Sequence, residues 1–100
     1  MIIYNVTVNV DTDVHDAWME WMKSVHIPDV VKTGCFTQGK IFRILVDEQH
    51  GISYSIQYAA PSMKEVEHYL ENHAPRLRQD AHDKFGGKFT AFRTLLEHID

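Results

Sequence analysis

Two segments restrict the fold of this chain more than any others. Residues 2–10 alternate cleanly and residues 52–58 without a fault: Ile2, Tyr4, Val6, Val8 and Val10 lie on one side of the first, and Ile52, Tyr54, Ile56 and Tyr58 on one side of the second. Asn5, Thr7 and Asn9, and Ser53, Ser55 and Gln57, point the other way. A period of two places each set on one face of a strand. Each strand therefore has one wet face, and the sheet they build is covered on one side only.

The intervening segments supply the cover. Asp11, Thr12 and Asp13 offer N-cap oxygens, and Val14, Ala17, Trp18, Trp21, Met22 and Val25 recur at helical spacing. The spacing predicts an amphipathic helix of about three turns, ended at His26-Ile27-Pro28 because proline disfavours helical backbone in the residue before it. Residues 29–34 read as a turn or a second helical piece. Residues 36–46 are rich in β-branched and aromatic types and pair with 52–58 through a connection at 47–51, a hairpin. Ser62 and Glu65 form a capping box for a helix carrying Val66, Tyr69, Leu70, His73 and Leu77. At Pro75 that helix either kinks or gives way to a new one, and Gly86-Gly87 stops what remains. Residues 88–99 read as a last strand. The order β-α-β-β-α-β predicts an α+β, ferredoxin-like fold: a four-stranded antiparallel sheet, strands one and three central, both helices on one face, in a single domain spanning 1–100.

Composition narrows the function classes. The 100 residues carry 14 acidic and 10 basic side chains, a formal charge of −4, so there is no electrostatic attraction for nucleic acid. Apolar types at 44% are ordinary globular usage and exclude disorder. The longest apolar run, residues 1–4, is far short of a membrane span. One cysteine, Cys35, cannot form an internal disulfide and fits a reducing, cytoplasmic compartment. Protonating all 7 histidines would move the charge from −4 to +3, so solubility near pH 6 should depend on pH.

Pairing the hairpin symmetrically sets Val46 opposite Ile52, Ile44 opposite Tyr54 and Phe42 opposite Ile56, which puts Ile41, Arg43 and Leu45 on the open face. Giving Phe92 and Leu96 to the core puts Phe89, Ala91, Arg93 and Leu95 there too; the opposite parity of this last strand is also compatible with the sequence. On the first parity Ile41, Leu45, Phe89 and Leu95, with Ile3, form an apolar border that a second copy would bury, so a homodimer is expected.

Candidate sites follow from these placements. Arg43 and Arg93 over a polar stripe containing Asn5 and Gln57 would hold a small carboxylate or phosphate through two guanidinium forks. The plainer reading is a water-facing sheet with charged edges. His26, beside Pro28 and Asp29 at a helix end, is the best candidate for proton transfer; as a plain structural residue it caps the helix. Trp18, Trp21, Tyr54, Tyr58, Tyr69 and Phe92 would enclose a flat organic ligand or simply fill the core. Histidines 15, 26, 50, 68, 73, 82 and 98 include no HExxH and no pair at i, i+4, and His68 and His73 fall on different faces of a continuous helix, so no metal is expected. Cys35 has no CxxC partner, and no cofactor-binding motif is present.

The helix and turn Trp18-Met-Glu-Trp21-Met-Lys-Ser-Val-His26-Ile-Pro28-Asp29-Val-Val-Lys-Thr-Gly34 resemble those of the dimeric α+β barrel superfamily. With Tyr69 to His73-Ala-Pro75 and Phe92-Arg93-Thr94, nearly the whole chain resembles the bacterial domain-of-unknown-function family 4286. That resemblance implies a ferredoxin-like fold and a dimeric barrel, with no reaction to carry over. Two functions are compatible with it: a small homodimeric module binding an anionic or organic ligand or a partner, or a cofactor-independent monooxygenase or isomerase of the dimeric barrel type.

Overall fold

Alternation in the two most regular strands is realised as a central pair. In the computed structural model, which describes residues 1–100, β1 (Ile2–Val10) and β3 (Ile52–Ala60) run antiparallel with Tyr4 opposite Tyr58, Val6 opposite Ile56 and Val8 opposite Tyr54. β2 (Gln38–Arg43) flanks β3 and β4 (Phe89–Glu97) flanks β1, giving the order β2-β3-β1-β4. All three pairings are antiparallel, and the helices lie against one face. The fold is ferredoxin-like.

Apolar sides of β1 and β3 meet the aromatic side chains of Trp18, Phe36 and Tyr69. Trp18 reaches Tyr54 at 5.3 Å between ring centroids. Tyr69 meets Tyr4 at 5.5 Å and Phe36 at 4.9 Å, an edge-on contact of the kind aromatic rings favour. Val10, Ile56, Val66 and Leu77 are sealed from water in the same core.

The first helix departs from expectation at Pro28. α1 (His15–Trp21) does not stop there; it passes through a π-helical turn, Met22–His26, into α2 (Ile27–Lys32). Ile27 donates to the Met22 carbonyl, five residues back. Widening the helix in this way accommodates a proline ring that would clash with the carbonyl four residues earlier in an α-helix. The Ser24 hydroxyl donates to the Glu20 carbonyl at 2.6 Å within the same turn.

The second helical segment resolves in favour of a new helix at Pro75. α3 (Met63–Asn72) ends at His73, whose φ of −127° is not helical, and α4 (Ala74–Phe85) starts afresh with the proline in its first turn. Gly86, at φ +57°, terminates α4, and a short 3-10 turn leads to β4.

The hairpin register is one residue away from the symmetric pairing. β2 ends at Arg43, and residues 44–51 form a longer connection that re-enters β3 through Gly51. At φ +68°, a side chain on Gly51 would run into Asn9 and into the Val10 carbonyl, 2.7 Å away. Arg43 therefore sits opposite Tyr54 and Ile41 opposite Ile56, both on the helix side, while Phe42 turns to the open face. β4 takes the alternative parity: Arg93 lies opposite Val6, and Phe92 opposite Thr7. The apolar border of the open face is consequently Phe42, Phe92 and Leu96 with Ile3, rather than Ile41, Leu45, Phe89 and Leu95.

Trp18, only 2% exposed, ties the first helix to β3. Trp18→Ala should lower unfolding stability by about 3–5 kcal/mol, read as a drop in the urea midpoint; an unchanged midpoint would show that the indole is not a core anchor.

Candidate functional site

The helices cover β1 and β3 closely but leave β4 partly bare: Phe89 and Ala91 are half-buried, whereas Arg93 and Leu95 are exposed. Ala81 on α4 and Ala91 on β4 are too small to fill the space between them. A cavity of about 310 Å³ results, walled by Tyr4, Val6, Val8, Ile56 and Tyr58 from the central strands and by Trp18, Trp21 and Leu77 from the helices. Its polar groups are few: His26, Arg78, His82, Thr90 and Arg93, besides the tyrosine hydroxyls.

His26 is carried to this wall by the π-helical turn. Its ring stacks on Trp21 with centroids 4.8 Å apart and planes 25° from parallel. Burial pushes the imidazole below its ordinary pKa; Asp29 and Asp80 pull it back up and Arg93 pushes it down again. It is a neutral base at physiological pH. Burial also raises the phenols of Tyr58 and Tyr69 above their ordinary values, so they remain protonated.

Arg78 is the unusual member. Its Nη2 donates to the Tyr4 hydroxyl at 3.0 Å, but its Nε is buried with no hydrogen-bond partner. A buried donor left in this state costs about 1–3 kcal/mol, and native proteins rarely retain one without a reason. A neutral base and two guanidinium groups on a largely apolar wall suit an acid with a hydrophobic body, held by charge at one end and by packing at the other.

The anion site expected from Arg43, Arg93, Asn5 and Gln57 does not form. Both arginines face the helix side, on opposite edges of the sheet with two strands between them, roughly 14 Å of sheet. Asn5 and Gln57 face the open side. There they are occupied with each other's neighbours: Gln57 Nε2 donates to Ser55 Oγ at 3.3 Å, Ser55 Oγ to Asn5 Oδ1 at 2.5 Å, and Asn5 Nδ2 to Thr7 Oγ1 at 3.1 Å. The one-residue difference in hairpin register and the parity of β4 separate the two sets. Of the four, only Arg93 borders the cavity.

Arg78 was legible in the sequence yet missed. Ala74, Leu77, Arg78 and Ala81 occupy i, i+3, i+4 and i+7 of α4, so a cation stands in a core-facing stripe. The spacing that argued against a metal also fails in one place. The break at His73 removes the angular separation that a continuous helix would impose, and Cys35, His68 and His73 come together away from the cavity.

The model of a domain of unknown function, DUF4286, matches residues 1–99. The chain belongs to the DUF4286 family. No curated protein matches this DUF4286 chain in sequence. Among solved structures it is similar to an ethyl tert-butyl ether D (EthD) family protein from Bacillus halodurans C-125, at 16% identity and a TM-score of 0.73 over 99% of this chain and 100% of the other. It is also similar to a de novo designed ferredoxin-fold protein, at 18% identity and a TM-score of 0.54 over 100% of this chain and 89% of the other. Both likenesses establish the fold.

The lowered pKa of His26 fixes the sign of a pH effect. Stability gained by keeping the ring neutral is complete above the ordinary value of 6.5 and is lost as pH falls toward the lowered folded-state value. His26→Gln should therefore flatten the decline in urea midpoint between about pH 7 and 5; the same slope in parent and variant would mean that the imidazole is not held neutral by the fold.

Proposed function

We propose that this DUF4286 protein binds a small acid with an apolar or aromatic body in the cavity between sheet and helices, its carboxylate meeting Arg78 and Arg93. The unpartnered Nε of Arg78 carries the reading, because an anion in the cavity supplies the acceptor that the folded chain does not. The volume suits a compact molecule at the small end of the range for ligand pockets, about 300–1,000 Å³.

Catalysis is the second reading, favoured by one observation: the neutral His26 imidazole stands on the same wall as the two guanidinium groups. A base there would take a proton from a bound acid's carbon or hydroxyl, the first step of an isomerisation or of a cofactor-independent oxygenation. In both readings the protein works as a cytoplasmic homodimer. A single free thiol fits a reducing compartment, and no helix is long and apolar enough to cross a membrane. The dimer is supported by the open sheet face, where Phe42 and Phe92 stand 47% and 63% exposed at the two ends of one cross-strand row. Between them lies a polar stripe whose hydrogen bonds are already satisfied, so a second sheet can cover it at little cost.

Substituted benzoates and short-chain fatty acids at millimolar concentration should raise the melting temperature, by the equivalent of about 2.7 kcal/mol at a hundred times Kd. Arg78→Met should abolish the shift; in the unliganded protein it removes the orphaned donor but also the hydrogen bond to the Tyr4 hydroxyl, two effects of opposite sign. His26→Gln should retain binding; if an acid is also turned over, that variant should lose turnover alone. No shift from any acid, or an equal shift in Arg78→Met, would refute the site.

Sedimentation should give about twice 11.6 kDa, and Phe92→Asp should reduce it to the monomer value. A parent protein that sediments as a monomer at tens of micromolar would remove the dimer.

A further inference from the structure

We infer that Cys35, His68 and His73 form a binding site for a zinc-type metal ion on the side of the helical layer, separate from the cavity. Each residue offers one ligand atom, and the three atoms lie within 4.8 Å of one another. Around a tetrahedral zinc ion, with Zn–S of about 2.3 Å and Zn–N of about 2.0–2.1 Å, ligand atoms stand roughly 3.3–3.6 Å apart. A contraction of about an ångström, within the reach of side-chain rotation, closes the site.

Three separate local structures bring the ligands together. α2 ends at Thr33, and Gly34, at φ +83°, turns the chain so that Cys35 follows directly. The Cys35 amide donates to Thr33 Oγ1 at 3.3 Å, and that hydroxyl donates to the Val30 carbonyl at 2.7 Å, so the turn is braced from within. His68 lies on α3, and His73 occupies the joint between α3 and α4. On an unbroken helix five positions separate two side chains by about 140°. At this joint the two rings approach to 5.6 Å between centroids.

The burial gradient suits a surface metal site with a dry floor. Cys35 is 5% exposed, His73 is half-buried and His68 is exposed. Tyr69 and Phe36 pack beside it. One sulfur and two imidazole nitrogens select borderline or soft ions over magnesium and calcium, which take oxygen ligands. Three protein ligands leave a fourth position for water or a small anion. Binding exchanges the Cys35 thiol proton, released to solvent, for the bond to the metal. Asn72, one turn beyond His68, places its Nδ2 3.2 Å from His68 Nδ1 and donates to the His68 carbonyl at 3.0 Å, so the amide packs against the imidazole.

Cobalt(II) is the probe, because a thiolate ligand announces itself by a charge-transfer band in the near ultraviolet and tetrahedral geometry by strong visible absorption. Titration of the full-length reduced protein should show one Co²⁺ per chain with both features, and excess Zn²⁺ should displace it. Cys35→Ser should eliminate the charge-transfer band, and His68→Ala and His73→Ala should each weaken binding by about tenfold or more. His68 is exposed, so His68→Ala leaves the core intact and decides the matter if Cys35→Ser does not fold. A cobalt complex without a thiolate band would overturn the assignment. So would affinity unchanged in the His68→Ala, His73→Ala double variant, which would place the ion on other histidines.

Discussion

The register of β1 against β3 is the constraint on which the remaining structure depends. Because side chains alternate along a strand, placing Val6 opposite Ile56 commits Tyr4, Val8, Tyr54 and Tyr58 to the helix side and Asn5, Thr7, Ser55 and Gln57 to the open side in one step. A shift of one residue would bury amides and hydroxyls under Trp18 and Tyr69 and expose the tyrosines. The hydrogen-bonded stripe from Gln57 through Ser55 and Asn5 to Thr7 reinforces the same choice, since its partners meet only in this alignment. Core and polar stripe are two consequences of a single pairing.

How far this was legible in the sequence depended on whether a segment carried its own periodicity. β1 and β3 did, as did the helical spacing around Trp18 and around Val66, and these elements fell where the pattern placed them. β2 and β4 are edge strands with apolar residues on both sides, so their parity is set by what they pair with: Gly51 and the connection at 44–51 for β2, and the Val6–Arg93 row for β4. That is why the four residues expected to form one anion site lie on two faces. Pro28 misled for a different reason. The rule against proline within a helix presumes α geometry, and the π-helical turn at Met22–His26 relaxes it.

The two sites draw on different kinds of departure from regularity. In the cavity a cation occupies a stripe meant for packing, and small residues at 81 and 91 leave room beside it. At Cys35, His68 and His73 the ligands come from three local structures that meet only because α3 and α4 are separate helices. Neither arrangement follows from any one element taken alone. Pro75 matters to the second site indirectly: having no N–H to continue α3, it sits in the first turn of a new helix, and His73 at the break has a non-helical φ.

The π-helical turn has a further consequence, for the phase of the helical rod. A π turn holds one residue more than the α turn it replaces, so α2 is rotated by about 100° relative to its position in an uninterrupted α-helix continuing α1. Deletion of a single residue between 22 and 26 is thus absorbed where the π turn now stands. Removing one residue would restore α geometry and leave α2 in its present phase, with Val30 still in the core and the sheet untouched, whereas forcing all five residues into α geometry would turn Val30 about 100° away. A chain shortened by one residue here would thus keep the fold and change only the side chains of the turn itself.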